Sequence, residues 1–292
     1  MSAVGRSVVV TGASGMLGRQ LCARLVGRGF EVRALVREPG KFEARGLRVG
    51  RCDLPDTLDE SLLAGASVLV HCAYATRTTD LEEARRVNEE GTRRVLEASR
   101  RAEIPRFVFV STIAAHPDAP NYYARSKLAL EHLLDPGRDL ALRPGLILAK
   151  EGQGLFQQMR DGIRRTHVMP LFDGGRQPLQ TVHVDDLCQA FAIALERGLT
   201  GTLQVAEPDP LSLAEFVRLL AERMGVRCWF VPVPFAPMLA TLRALESLGV
   251  PFPLRSESLL GIRSLRRVSV SEDVRRLDLV PRPARESLDD VV

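Results

Sequence analysis

Ser7-Val8-Val9-Val10-Thr11-Gly12-Ala13-Ser14-Gly15-Met16-Leu17-Gly18 is a β-branched apolar run that breaks into three regularly spaced glycines and then opens a helix-forming stretch reaching about Arg28. Glycines there permit a tight turn and close backbone approach, and the helix N-terminus offers amides and a partial positive charge to a pyrophosphate. A glycine triplet alone says little, but its place between a first strand and a first helix makes it a phosphate-binding turn. Gly12, Ser14, Gly15, Met16, Leu17 and Gly18 are its expected contacts.

Outward from that turn, short apolar runs alternate with helix-periodic segments up to about residue 145: EVRALV, LRVGRCD, SVLVHCA, RFVFVS and LALRPG. This rhythm predicts an α/β fold, a Rossmann-type doubly wound parallel sheet whose strands are nearly continuous apolar runs because helices cover both faces. Leu81 to Arg101 reads as one long amphipathic helix with Leu81, Ala84, Val87, Gly91, Val95 and Ala98 on one face. Residues 1–150 are expected to bind a dinucleotide. Residues 151–292 are expected to form mainly a smaller substrate-binding lobe, with segments around 176–207 returning to the Rossmann core. There, Asp185 reads as the N-cap of a helix from Asp186 to Arg197. The apolar, proline-bounded stretch 231–254 reads as a lid or groove wall, with a partner-docking helix as the alternative.

Composition narrows the function classes. The chain has 292 residues, 45% hydrophobic and 26% charged, with a net charge of +4. Its basic residues are scattered, so nucleic acid is not an expected partner. Of 40 basic residues only Lys41, Lys127 and Lys150 are lysines. Five cysteines without a CxxC pair suggest neither a disulfide framework nor a zinc site, and five histidines without HxxxH spacing point away from metal catalysis. MSAVGRSVVV lacks a signal-peptide layout and no apolar run is long enough to span a bilayer. A cytoplasmic protein, monomeric or homodimeric, is expected.

Three further features carry chemistry. Dinucleotide folds choose between cofactors at the end of the second strand, where an acid takes the ribose 2′-hydroxyl and an arginine a 2′-phosphate. Here Arg37 follows Val36 with Lys41 close behind, favouring NADP(H), with NAD(H) as the alternative. Tyr123 and Lys127 stand at i and i+4, on one helix face, where an ammonium beside a phenol would favour the phenolate. Ser111 and Thr112 follow the fifth apolar run and place two hydroxyls at the carboxyl edge of the sheet.

Together these residues resemble the short-chain dehydrogenase/reductase superfamily, in particular its extended branch of NAD-dependent epimerases/dehydratases and 3β-hydroxysteroid dehydrogenase-like or complex I accessory-subunit-like proteins. The resemblance covers nearly the whole chain. It implies that Thr112, Tyr123 and Lys127 are catalytic, Tyr123 as acid/base and Lys127 holding the nicotinamide ribose and lowering the tyrosine pKa. It places Ser111 on the nicotinamide side and Asp53 with Leu54 beside the adenine. Cys72, Ala73 and Tyr74, after His71, fall in the loop beside the cofactor, and Asn88 with Gly91 and Thr92 in a helix motif supporting the site. Pro144, Gly145 and Leu146, after Arg143, lie near the carboxamide. His183 to Asp186 leads into the substrate lobe, and Asp273 to Pro281 resembles its closing piece.

Departures from the family narrow the substrate. Only residues 113–122 separate Thr112 from Tyr123, and GLILAKEGQG lacks the asparagine-containing pattern associated with nucleotide sugars. The expected activity is hydride transfer between nicotinamide and a ketone or secondary alcohol of a small apolar molecule. An epimerase or dehydratase, and a non-catalytic NADP(H)-binding sensor or assembly protein, are the alternatives.

Overall fold

The first apolar run is wholly buried and becomes the middle of the sheet. A computed structural model describes residues 6–42, 46–76, 78, 80–152, 154–250 and 254–292. Its strands are β1 (Ser7–Thr11), β2 (Glu31–Val36), β3 (Arg48–Asp53), β4 (Thr57–Leu58), β5 (Val68–His71), β6 (Arg106–Val110) and β7 (Leu140–Pro144). They continue as β8 (Leu146–Leu148), β9 (Val168–Phe172), β10 (Pro178–Leu179), β11 (Thr181–His183), β12 (Gly201–Val205), β13 (Leu211–Ser212) and β14 (Trp229–Val233). The helices are α1 (Met16–Gly27), α2 (Leu81–Arg85), α3 (Gly91–Arg101), α4 (Tyr122–Glu131), α5 (Leu155–Thr166) and α6 (Val184–Glu196). After them come α7 (Leu213–Arg223), α8 (Phe235–Ser247), α9 (Ser256–Arg263), α10 (Ser271–Leu277) and α11 (Ala284–Val291).

Eight strands form the main sheet in the order β12-β7-β6-β5-β1-β2-β3-β4, parallel except where β4 runs antiparallel to β3. Winding reverses between β1 and β5, and ligands of such sheets bind at the carboxyl ends of the strands at that reversal. Alternation sends side chains to opposite layers. Val8 and Val10 pack with α1 and α6, whereas Val9 packs with Val95, Leu96 and Leu130 of α3 and α4. This is the Rossmann-type α/β architecture that the apolar rhythm predicts.

Two local expectations need correction. The stretch 81–101 is not one regular helix, because a π turn, Arg86–Glu90, separates α2 from α3. Asp185 is not an N-cap: α6 starts at Val184, and the cap is His183, whose Nδ1 accepts from Asp185 N at 3.1 Å. Arg282 Nη2 reaches the same nitrogen at 2.6 Å and fixes the imidazole there. Asp185 keeps the favourable first-turn position of a carboxylate.

Beyond β7 a second apolar cluster gathers Phe156 and Ile163 of α5, Phe216 and Leu220 of α7 and Leu288 of α11. The stretch 231–254 divides: Val231–Val233 ends β14, α8 follows, and residues 251–253 lie outside the described residues, as does Gln153 of the glycine-bearing segment 151–154. Phe235 and Leu242 of α8 pack with Phe172 and with Leu259 of α9.

Polar stitches bind the last residues to the sheet. Asp273 Oδ2 accepts from Gln204 N of the edge strand β12 at 2.9 Å, and Leu277 of α10 enters the sheet's core layer. Buried Glu207 accepts from Thr181 N and Oγ1 and from Ala284 N at 2.7 to 3.1 Å. Between β7 and β8 the chain squeezes past Gln180 and Ala206, so a Cβ on Gly145 would lie 2.6 Å from Gln180 O. We expect Gly145→Ala to cost roughly 1–3 kcal/mol, the usual range for overpacking; urea unfolding with an unchanged midpoint would refute the crowding.

Candidate active site

The phosphate-binding turn is built by steric exclusion. Gly12 has φ +65°, and a Cβ there would lie 2.7 Å from Ala73 N; a Cβ on Gly18 would lie 2.2 Å from Gly12 O. The chain thus folds onto the end of β5, and Gly15 N donates back to Gly12 O at 2.9 Å. Gly15 caps α1 without a side-chain hydrogen bond, and α1 has no acidic residue in its first turn. That leaves the helix end suited to an anionic group. Ser14 and Gly15 are exposed, Met16 is half-buried beside Gly152, and Leu17 packs into the core, so its side chain is not available to a ligand.

Behind this turn runs a buried relay. Ala73 N points at Thr11 Oγ1 (3.4 Å), Thr11 Oγ1 meets His71 Nδ1 (2.7 Å), His71 Nε2 meets Thr92 Oγ1 (3.0 Å), and Thr92 Oγ1 donates to Asn88 O (2.5 Å). Since the Thr92 proton goes to a carbonyl, Thr92 must accept from His71, which assigns the His71 proton to Nε2 and leaves Nδ1 to accept from Thr11. One neutral imidazole satisfies both hydroxyls. Burial, with the Lys127 charge second, holds the His71 pKa down at about 3. Asn88, in the π turn, accepts from Ala75 N at 2.6 Å and donates to Ala75 O at 3.1 Å, clamping the loop that carries Cys72, Ala73 and Tyr74. The Cys72 thiol pKa is pushed up by burial.

Across the cleft stands α4. Tyr123 keeps 36% of its surface exposed and lies edge-on to the Tyr74 ring, with centroids 5.6 Å apart. Its phenol is crowded enough that desolvation raises its pKa, with the adjacent Thr112 hydroxyl pulling the other way. Thr112 and Tyr123 are therefore neighbours. Lys127 shares the helix face but aims elsewhere: its Nζ donates to Val110 O at 2.6 Å and lies 3.9 Å from the centroid of Tyr74 and 4.6 Å from that of Phe109. Burial lowers its pKa to about 7, with Cys72 and Glu131 favouring the charged form. Desolvation dominates both groups.

Ser111 departs from its expected direction too. Its hydroxyl donates to Glu131, a buried carboxylate held by Arg143 Nε at 2.9 Å, so its side chain is engaged away from Thr112. Pro144 O accepts from Ile113 N at 3.0 Å and Leu146 N donates to Gln180 O at 2.9 Å, fixing the strand-seven loop beside the Thr112 segment. Asp53 lies 3.6 Å from Arg51, and Leu54 packs against Gly91, where a Cβ would approach to 2.8 Å.

Arg37 lines a pocket of about 390 Å³ with Glu38, Pro39, Gly40, Lys41 and Arg51. Glu38 pairs with Lys41 at 2.5 Å, which holds its carboxyl below the usual range. Arg51 is the residue that sequence reasoning passed over. Parallel register pairs Val36 with Arg51, which brings that side chain beside Arg37. Glycine cradle, uncapped helix end and basic pocket fit a dinucleotide.

The NAD-dependent epimerase/dehydratase family model matches residues 8–206. A 4-hydroxy-2-methyl-3-oxo-4-farnesyl-3,4-dihydroquinoline-1-oxide ketoreductase of Stigmatella aurantiaca is 34% identical, the alignment covering 92% of this chain and 90% of that protein. A ceramide reductase of Caulobacter vibrioides is 32% identical over 78% of this chain and 73% of its own. Among solved structures, gox2253 superposes with TM-score 0.76 at 22% identity, covering 98% of this chain and 96% of that one.

The depressed Lys127 pKa has a thermodynamic consequence. Between about 7 and the ordinary 10.5 the unfolded chain holds a proton that the folded chain lacks, so stability rises with pH across that window, by up to about 1.4 kcal/mol per unit. Below it the full penalty of burying the ammonium is present. Chemical denaturation of the cofactor-free protein across this range should show the rise, and Lys127→Met should flatten it; equal slopes for both proteins would contradict the assignment.

Proposed function

The chain belongs to the NAD-dependent epimerase/dehydratase family, which makes it a nicotinamide-dependent oxidoreductase, and we propose that it reduces a ketone on a mainly apolar substrate using NADPH. The observation that carries this reading is the placement of Tyr123, next to Thr112, against Tyr74 of the loop that folds onto Gly12. The bound reduced nicotinamide supplies the hydride. Thr112 and Tyr123 hold the carbonyl oxygen by hydrogen bonds, and Tyr123 Oη gives it a proton as negative charge develops. The phenol carries its proton at neutral pH, as a tyrosine ordinarily does, and so has one to give. Lys127, buried under Tyr74, is the cation available to a ribose hydroxyl. Arg37 and Arg51 would hold a 2′-phosphate, and Gly12 and Gly15 allow the pyrophosphate to approach the α1 amides.

The C-terminal helix pair α8 and α9 reaches the start of α4, which carries Tyr123. Glu257 of α9 accepts from Tyr122 N at 2.5 Å and Gly261 abuts Asn121. The same helix packs on α8 through Leu259, Phe235 and Leu242. The apolar character of the substrate is supported by relatives named for a farnesyl-bearing ketone and for ceramide.

The reading is tested by calorimetric titration of NADPH and NADH, followed by absorbance assays against apolar ketones. NADPH preference with turnover is expected. Binding without turnover across the panel would favour a non-catalytic role, and binding of neither cofactor would overturn the reading. Tyr123→Phe should lower kcat by about 10²- to 10⁴-fold with cofactor affinity nearly unchanged; wild-type kcat would remove the phenol from the mechanism. Arg37→Ala and Arg51→Ala should each weaken NADPH by about 10- to 100-fold, the worth of a charge-assisted contact, and leave NADH almost unaffected. Equal losses for both cofactors would make these arginines structural.

A further inference from the structure

The chain has a single tryptophan, and it lies in solvent: Trp229 is 77% exposed at the start of β14. Its partner across the parallel β9–β14 pair is Val168, 42% exposed, and Val231 beyond it is 43% exposed. Together they present a small apolar tip. Exposed arginines lie in the segments that lead into both strands. Arg164 and Arg165 end α5 just before β9, and Arg227 precedes β14, its carbonyl accepting from His167 Nδ1 at 3.1 Å while Trp229 N donates to His167 O at 2.8 Å. All three arginines are exposed, and among the described residues none forms an ion pair. Two acids also lie nearby, Asp161 at 3.7 Å from Arg160 and Glu222 at 3.9 Å from Arg223, whose closer partner is Asp289 at 2.5 Å.

Attraction to the carbonyl end of α5 explains two of these arginines. It does not explain an indole left in water next to two valines. An indole with an apolar body and a polar N–H, on a tip whose flanking segments carry three exposed arginines, matches the boundary between headgroups and acyl chains of a bilayer with negative lipids. We infer that the Trp229–Val168–Val231 tip with Arg164, Arg165 and Arg227 docks this protein peripherally on an anionic lipid surface. The contact is reversible and shallow, because one indole and two valines bury little area and no helix of the described residues is long and apolar enough to span. The inference is independent of the reaction. It involves none of the residues placed around Tyr123, so failure of either reading leaves the other standing.

A single tryptophan makes the test direct, since its emission reports Trp229 alone. The full chain is titrated with vesicles of phosphatidylcholine alone and of an equal mixture of phosphatidylcholine and phosphatidylglycerol, reading emission wavelength and flotation with the vesicles. A blue shift and co-flotation with the mixed vesicles only, reversed by high salt, are expected. Trp229→Ala should reduce flotation at least tenfold, as should the triple change of Arg164, Arg165 and Arg227 to Ala, whose indole should stay red-shifted. Both should bind NADPH as the parent does. Unchanged emission and no flotation with the mixed vesicles would overturn the inference. So would a blue shift that grows with protein concentration without lipid, which would assign the tip to a second copy of this chain.

Discussion

The site depends on a lack of space. At the carboxyl end of β1 the chain must turn directly against the backbone of Cys72 and Ala73, and no side chain fits at Gly12 or Gly18. That contact sets the distance between the first helix and the end of β5, on opposite sides of the sheet's winding reversal. A looser turn would move the α1 amides away from the cleft lined by Tyr74 and Tyr123. Everything polar behind it is arranged to keep that approach rigid without adding charge. Thr11, His71, Thr92 and Asn88 pass hydrogen bonds from β1 to the π turn with each donor used once. Neutral partners suit this place, because unpaired charge in so buried a layer would be costly.

The one buried cation nearby is tolerated through its surroundings. Lys127 has a carbonyl oxygen for its proton and two aromatic faces for its charge, interactions that soften desolvation without abolishing it. Burial lowers the pKa of this lysine and raises that of the phenol one turn earlier.

Much of this was legible in the residue order. Continuous β-branched runs announced parallel strands, the glycine spacing announced the turn, and the spacing of Tyr123 and Lys127 announced that they share a helix. Each of these is a local property. What escaped was set by partners distant in sequence. Nothing local marks Arg86–Glu90 as a π turn, because the register is set by Asn88 gripping Ala75 thirteen positions earlier. The i, i+4 spacing places Lys127 on the Tyr123 face but cannot say that its ammonium will choose Val110 O. Ser111 reads as a site hydroxyl until Glu131 and Arg143, from α4 and β7, claim it. Arg51 looks like one more arginine in an arginine-rich chain until strand register sets it beside Arg37. The same holds for His183, whose capping role rests on Arg282, ninety-nine positions later.

The stitching of the C-terminal residues to β12 bears on how the protein comes into being. β12 is the outer strand on one side of the main sheet, and Gln204 N finds its acceptor only in Asp273. During synthesis the remaining strands can pair as they emerge from the ribosome, but that outer strand stays without its α10 cover for some seventy further residues. An uncovered edge invites pairing with another chain. An edge strand whose cover lies so far along the chain can gain that cover only late in synthesis.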